Sequence, residues 1–201
     1  MTFTLVDEAA DCVGWRQDEA IERTSHALAV DGRVWLVDPV DDPELEERVR
    51  ALGEPAGVLQ LFDRHGRGCA AWAARLGVPA VRAWGPAGAP PFEVLRVGAR
   101  RWWREVALWD PRSRTLVCGD ALGTADLFLA RGETLAVHPL LRVVPPRVLG
   151  SVEPQRILVG HGAGVHENAT AALRHALANA RPGLPSAWWH AFQAVRASSR
   201  A

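Results

Sequence analysis

Three segments constrain this chain most: LFDRHGRGCA at 61–70, TLVCGDALGT at 115–124 and ILVGHGAG at 157–164. Each follows or ends an apolar run of strand character and puts an Asp or a His at the strand's end. A strand end held by a sheet is where binding and catalytic side chains collect. Asp63, His65, Asp120 and His161 thus form a candidate site assembled from three strands. Imidazole with carboxylate is the donor set of a metallohydrolase. Taken singly, each residue has an ordinary explanation as a turn or helix cap. Asp63 and His65, two apart, share a face only where the strand continues past Phe62.

The rest of the pattern supplies sheets and helices around these ends. TFTLV, ALAV and RVWLVDPV read as strands, with Asp31-Gly32 as a two-residue hairpin turn. Asp42 and Pro43 open a helix with Leu45, Val49 and Leu52 on one face, and Gly53 ends it. VLQLF at 58–62 is a strand, CAAWAARLG a helix closed by Gly77, and VPAVRAW a short strand. FEVLRV, EVALWD, TLVCGD and RILVG are further strands, and 167–180 and 185–197 are closing helices. The Pro- and Gly-containing stretch 121–150 holds short helices. This order favours two packed sheets with helices outside. A length of 201 residues without a composition shift is read as one domain, residues 1–201.

Composition narrows the function classes. The formal net charge is zero, so no nucleic-acid partner is expected. All 23 basic residues are Arg, which excludes a lysine nucleophile or Schiff base. No apolar run reaches membrane-spanning length and the N-terminus is too polar for a signal peptide, so no membrane and a cytoplasmic location are expected. Cys12, Cys69 and Cys118 are widely spaced and form no CxxC pair, and Cys69 and Cys118 are read as buried core thiols. Trp188 and Trp189 are core or interface residues; exposed together, they would mark a homodimer face. His26 is expected at the surface or in a turn, while His138, His166 and His175 have no identifiable partner.

The order and context of these segments resemble the metallo-β-lactamase fold superfamily over most of the chain. Residues 25–40 look like its opening hairpin, ending at Asp38. Residues 57–77 look like the strand, loop and helix that carry its H-x-H-x-D-H signature. GDALGT looks like the segment with the bridging aspartate, and GHG like the one with the last histidine. The resemblance implies a four-layer αββα sandwich of the α/β (α+β) class. It matches His65, Asp120 and His161 to ligand positions. The signature's first histidine falls on Asp63, its aspartate on Arg67 and its final histidine on Gly68. Counting back from Val106-Ala107-Leu108 puts the family's middle histidine at Arg101.

A two-metal site is therefore not expected. One divalent metal (zinc, manganese or iron) could be held by Asp63, His65 and Asp120 with His161 near. Asp120 or His161 would then handle protons in the hydrolysis of a small ester, thioester, lactone or phosphoester. The other reading has no metal cofactor. Arg67 and Arg101 replace its charge beside Asp63 and Asp120, and the pocket takes a small-molecule ligand, with Trp102 and Trp103 either on its wall or serving as core anchors.

Overall fold

The computed structural model describes residues 2–100, 102–189 and 192, and the candidate Arg101 lies outside them. Six strands form the first sheet in chain order: β1 (Phe3–Ala9), β2 (Cys12–Gln17), β3 (Thr24–Val30), β4 (Arg33–Val37), β5 (Glu54–Gln60) and β6 (Ala80–Arg82). Its first half is an antiparallel meander, and β4, β5 and β6 run parallel. The second sheet has β7 (Glu93–Arg100), β8 (Trp103–Asp110), β9 (Thr115–Val117) and β12 (Arg156–Leu158), in the order β12-β9-β8-β7, with β12 parallel to β9. A small ribbon pairs β10 (Leu122–Gly123) with β11 (Ala136–Val137).

Period-two alternation sorts the strand side chains into layers. Leu59 of β5, Val106 and Leu108 of β8 and Val117 of β9 point into the space between the sheets. Their neighbours point out. Val58 packs with Val49 of α1 (Glu46–Ala51) and with Trp72 and Leu76 of α2 (Cys69–Leu76). Ala107, Trp109 and Leu116 pack with Leu173 and Ala176 of α3 (Ala169–Asn179). Three apolar layers between helix, sheet, sheet and helix make the expected αββα sandwich.

The local signals act as expected at the helix ends. Asp42 accepts from the Glu44 N–H at 3.1 Å ahead of a 3-10 turn that leads into α1. Gly77 caps α2 in the left-handed region, where a side chain is costly. Asp31-Gly32 turns β3 into β4. The strand β2 was not expected. Its residues are nearly all buried and Gly14 interrupts them, so no alternation marks it.

The closing helix expected at 185–197 is described over 184–189 and at 192. Trp188 and Trp189 are both more than half exposed. Among the described residues no helix is long and apolar enough to cross a membrane.

Candidate functional site

The parallel pairs β4–β5 and β9–β12 bring four strand C-termini to one edge of the sandwich. The loops leaving those ends carry Asp38, His65, Asp120 and His161. His65 is 6% exposed, and its ring bridges two carboxylates. Nδ1 lies 2.7 Å from Asp38 Oδ2 and Nε2 lies 2.9 Å from Asp120 Oδ1. His161 approaches the same oxygen, with Nε2 at 3.0 Å, while its Nδ1 bonds to the Ile21 carbonyl.

Asp38 is fixed before it meets His65. Its backbone has a left-handed φ of 43°, its N–H donates to Leu59 O, and its Oδ1 accepts from the Leu61 N–H at 2.8 Å. Small residues allow the loops to close on one another. A Cβ on Gly119 would sit 3.1 Å from Glu105 Oε1, and one on Gly160 would sit 2.5 Å from the Gly119 carbonyl.

The sequence-expected residues divide sharply. His65, Asp120 and His161 come together, their donor atoms within 4.8 Å of one another. Asp63 does not join them. The strand stops at Gln60, a turn closed by His65 N–H donating to Phe62 O reverses the chain, and Asp63 is left exposed. The same-face expectation fails because the strand does not continue.

Arg67 does reach the site. Its Nη1 donates to Thr24 O at 2.8 Å and Asp38 O at 3.1 Å, and its Nη2 donates to Gly160 O at 3.3 Å. The same Nη2 lies 3.3 Å from His65 Nε2. Its expected pairing with Asp63 is replaced by this grip on backbone carbonyls.

Trp103 is a core anchor, 1% exposed, not a wall open to ligand. Its indole N–H donates to Glu105 Oε2 at 2.8 Å, and its ring packs 4.8 Å from that of Phe62. Trp102 is 47% exposed at the rim. Glu105, which the sequence reading missed, is fully buried and accepts the Ala121 N–H at 2.9 Å, one residue past Asp120. Its only sequence signal is a lone acid within the apolar run of β8.

Electrostatics tie the cluster together. Burial and Arg67 oppose charge on His65, but Asp38 and Asp120 outweigh them and raise it to about 9. Burial would raise Asp120, yet His161 and His65 hold it well below the usual carboxylate range. Burial and Asp120 push Glu105 up to about 8. Burial also pushes the Cys69 thiol to about 12 and holds Cys118 well above the ordinary thiol range, so both are inert core thiols as expected.

The donor set fits one metal ion. Asp120 Oδ1 is buried, and neither imidazole contact to it has hydrogen-bond geometry. Both rings are already oriented through Nδ1, by a carboxylate and a carbonyl, as ligating histidines usually are. Arg67 opposes it, since the guanidinium stands against the His65 nitrogen that would ligate. No second cluster of metal-ligating side chains occurs among the described residues.

Two histidines expected to be unremarkable form a separate clasp. His26 is buried on β3, not at the surface, and its Nε2 lies 3.1 Å from Asp7 Oδ2. The other oxygen of Asp7 accepts the Gly164 N–H and contacts His166 Nε2, both at 2.8 Å. This joins the first sheet to the turn that follows His161.

No family model matches the sequence. No curated protein matches it either. Solved structures do. The DIM-1 metallo-β-lactamase superposes with a TM-score of 0.64 at 15% identity, covering 90% of this chain and 98% of its own. TMB-1 gives 0.65 at 13% identity over 90% and 98% of the two chains. A metallo-β-lactamase from Pontibacter korlensis gives 0.62 at 15% identity over 90% and 99%. With the layers and strand order described above, these likenesses establish that this chain has the metallo-β-lactamase fold.

Proposed function

We propose that this protein keeps the pocket of a metallo-β-lactamase-fold hydrolase without its two-metal chemistry, and binds a small molecule there. The observation that carries this reading is the placement of Arg67. Its guanidinium is held by three carbonyls and stands 3.3 Å from His65 Nε2. Asp38 and Asp120 are then balanced by Arg67 and the His65 imidazolium, and the site carries its own counter-charge. A divalent ion would have to displace or crowd a charge that cannot be titrated away.

A second reading is a mononuclear metal-dependent hydrolase. The orphaned Asp120 Oδ1 and the convergence of His65, Asp120 and His161 favour it. A metal held there by His65, Asp120 and His161 would polarise a bound carbonyl or phosphoryl oxygen.

Metal content separates the two. Untagged protein is analysed by elemental mass spectrometry as purified, and again after zinc or manganese loading and desalting. The first reading expects no retained metal under either condition. Near one equivalent, lost in Asp120→Asn or His65→Ala, would overturn it in favour of the second.

A further inference from the structure

His138 matches no ligand position of the resemblance, yet it borders the site. Its backbone N–H donates to the Ala121 carbonyl at 3.1 Å, next to Asp120. Its ring packs against Trp103 and Phe128, with centroids 4.8 and 5.1 Å away, and Phe128 packs against His161 at 5.5 Å. Asp120, His161 and Arg64 are the titratable or charged groups that act on it.

One hydrogen bond fixes its chemistry. The Leu140 N–H donates to His138 Nδ1 at 3.1 Å. A ring nitrogen that accepts carries no proton, so the imidazole is neutral and its hydrogen sits on Nε2. No described residue accepts from that N–H, and the ring is only partly buried. A donor held in one tautomer and facing solvent is free to meet water or an acceptor oxygen on a ligand.

The surroundings indicate what that oxygen belongs to. Arg64 flanks the same indole, with Cζ 5.8 Å from the Trp103 ring and 5.2 Å from that of Phe62. One of its Nη2 hydrogens is committed to Trp102 O at 2.7 Å, and its other N–H groups have no acceptor among the described residues. Trp102 packs edge-on to Trp103 at 6.0 Å and turns nearly half its surface to solvent. A cation, a neutral donor and an exposed aromatic face thus each contact one buried indole.

We propose that His138 and Arg64 recognise the oxyanion of a small carboxylic acid whose flat apolar body lies against Trp102. This rests on the ligand-binding reading above, in which the ligand is held and not cleaved.

The test uses the full chain with 15N-labelled histidine rings in chelator-treated buffer. Sodium benzoate is titrated into one sample and inorganic phosphate into another while the imidazole resonances are followed by NMR. His138 should show the neutral Nε2–H tautomer, and benzoate should shift it saturably and more tightly than phosphate. Arg64→Gln and His138→Phe should each weaken benzoate about tenfold, the loss of one hydrogen bond to a charged group. Arg64 is exposed, so its variant keeps the test sound should His138→Phe misfold.

An Nδ1–H tautomer, no shift with benzoate, undiminished binding by the variants, or tighter binding of phosphate would each overturn the proposal. Zinc added to a third sample reads the earlier proposal separately. Stoichiometric shifts of His65 and His161 would refute the metal-free site and leave the benzoate result to stand by itself.

Discussion

Arg67 and His65 are two residues apart in sequence, and their side chains meet inside the site, Nη2 to Nε2 at 3.3 Å. Arg67 has a left-handed φ of 29°, which turns its side chain back over the loop that carries His65. Two cationic side chains are tolerated in contact because Asp38 and Asp120 lie against them.

Removing the guanidinium should therefore cost more than its hydrogen bonds. Arg67→Met leaves the Thr24, Asp38 and Gly160 carbonyls without this donor and the two carboxylates short of a cation. The expected loss is about 3–5 kcal/mol in urea unfolding, the cost of leaving buried carboxylates without their balancing cation. The variant should also gain zinc, since His65, Asp120 and His161 remain. Full stability together with no change in zinc uptake would remove Arg67 from its assigned role.

His65 sets a pH dependence with a definite sign. Its folded value of about 9 lies above the ordinary 6.5. The stability it contributes is fully present below pH 6.5 and is lost as pH rises through 9. The size is on the order of 3 kcal/mol. Asp38→Asn removes the largest influence that raises it, so this decline should shrink in that variant. Unfolding free energies at pH 6 and above 9, compared between wild type and variant, check this; equal slopes would count against it.

The site was legible in the sequence only in part, for a physical reason. His65, Asp120 and His161 could be found because each follows a strand, and strand ends are visible as apolar runs that stop. Asp63 was misplaced because a period-two argument needs extended backbone, and a tight turn begins beyond Phe62. Arg67 reaches Gly160, 93 residues away, a contact that no local pattern encodes. Glu105 and His26 are polar residues on buried strands, each with a partner on another element. The layered fold was easier to read, since alternation along each strand is local. The strand β2, buried on both faces, escaped it, and so did the two-residue strands β10 and β11, which lie where short helices were expected and are too short to show alternation.

The Asp7 clasp should respond to charge and to backbone independently. Asp7 has a φ of 55°, which Asn tolerates and Leu does not. Asp7→Asn should cost about 2–4 kcal/mol through the lost charge–imidazole contacts, and Asp7→Leu more. Burial would raise Asp7, but His26 and His166 lower it to about 2. Its contribution is present above the ordinary 3.8 and lost as pH falls through about 2. Acid unfolding of wild type should steepen in that window, and Asp7→Asn should lack the extra steepness.

Glu105 gives a sharper test, because its charge is disfavoured where its hydrogen bonds are favoured. Burial and Asp120 raise it from 4.5 to about 8. The folded protein therefore holds a proton between those values that the unfolded chain has released, and stability falls as pH rises through the window. Both oxygens accept hydrogen bonds, from the Ala121 N–H and from the Trp103 indole. Glu105→Gln keeps one acceptor and turns its amide N–H groups toward the other donor, a penalty of about 1–3 kcal/mol. At pH 5 the variant should be the less stable protein. Above pH 8 it should become the more stable one, since it buries no charge. The two stability curves must therefore cross, and curves that stay parallel would mean that Glu105 is ionised throughout and that its environment compensates the charge in some other way.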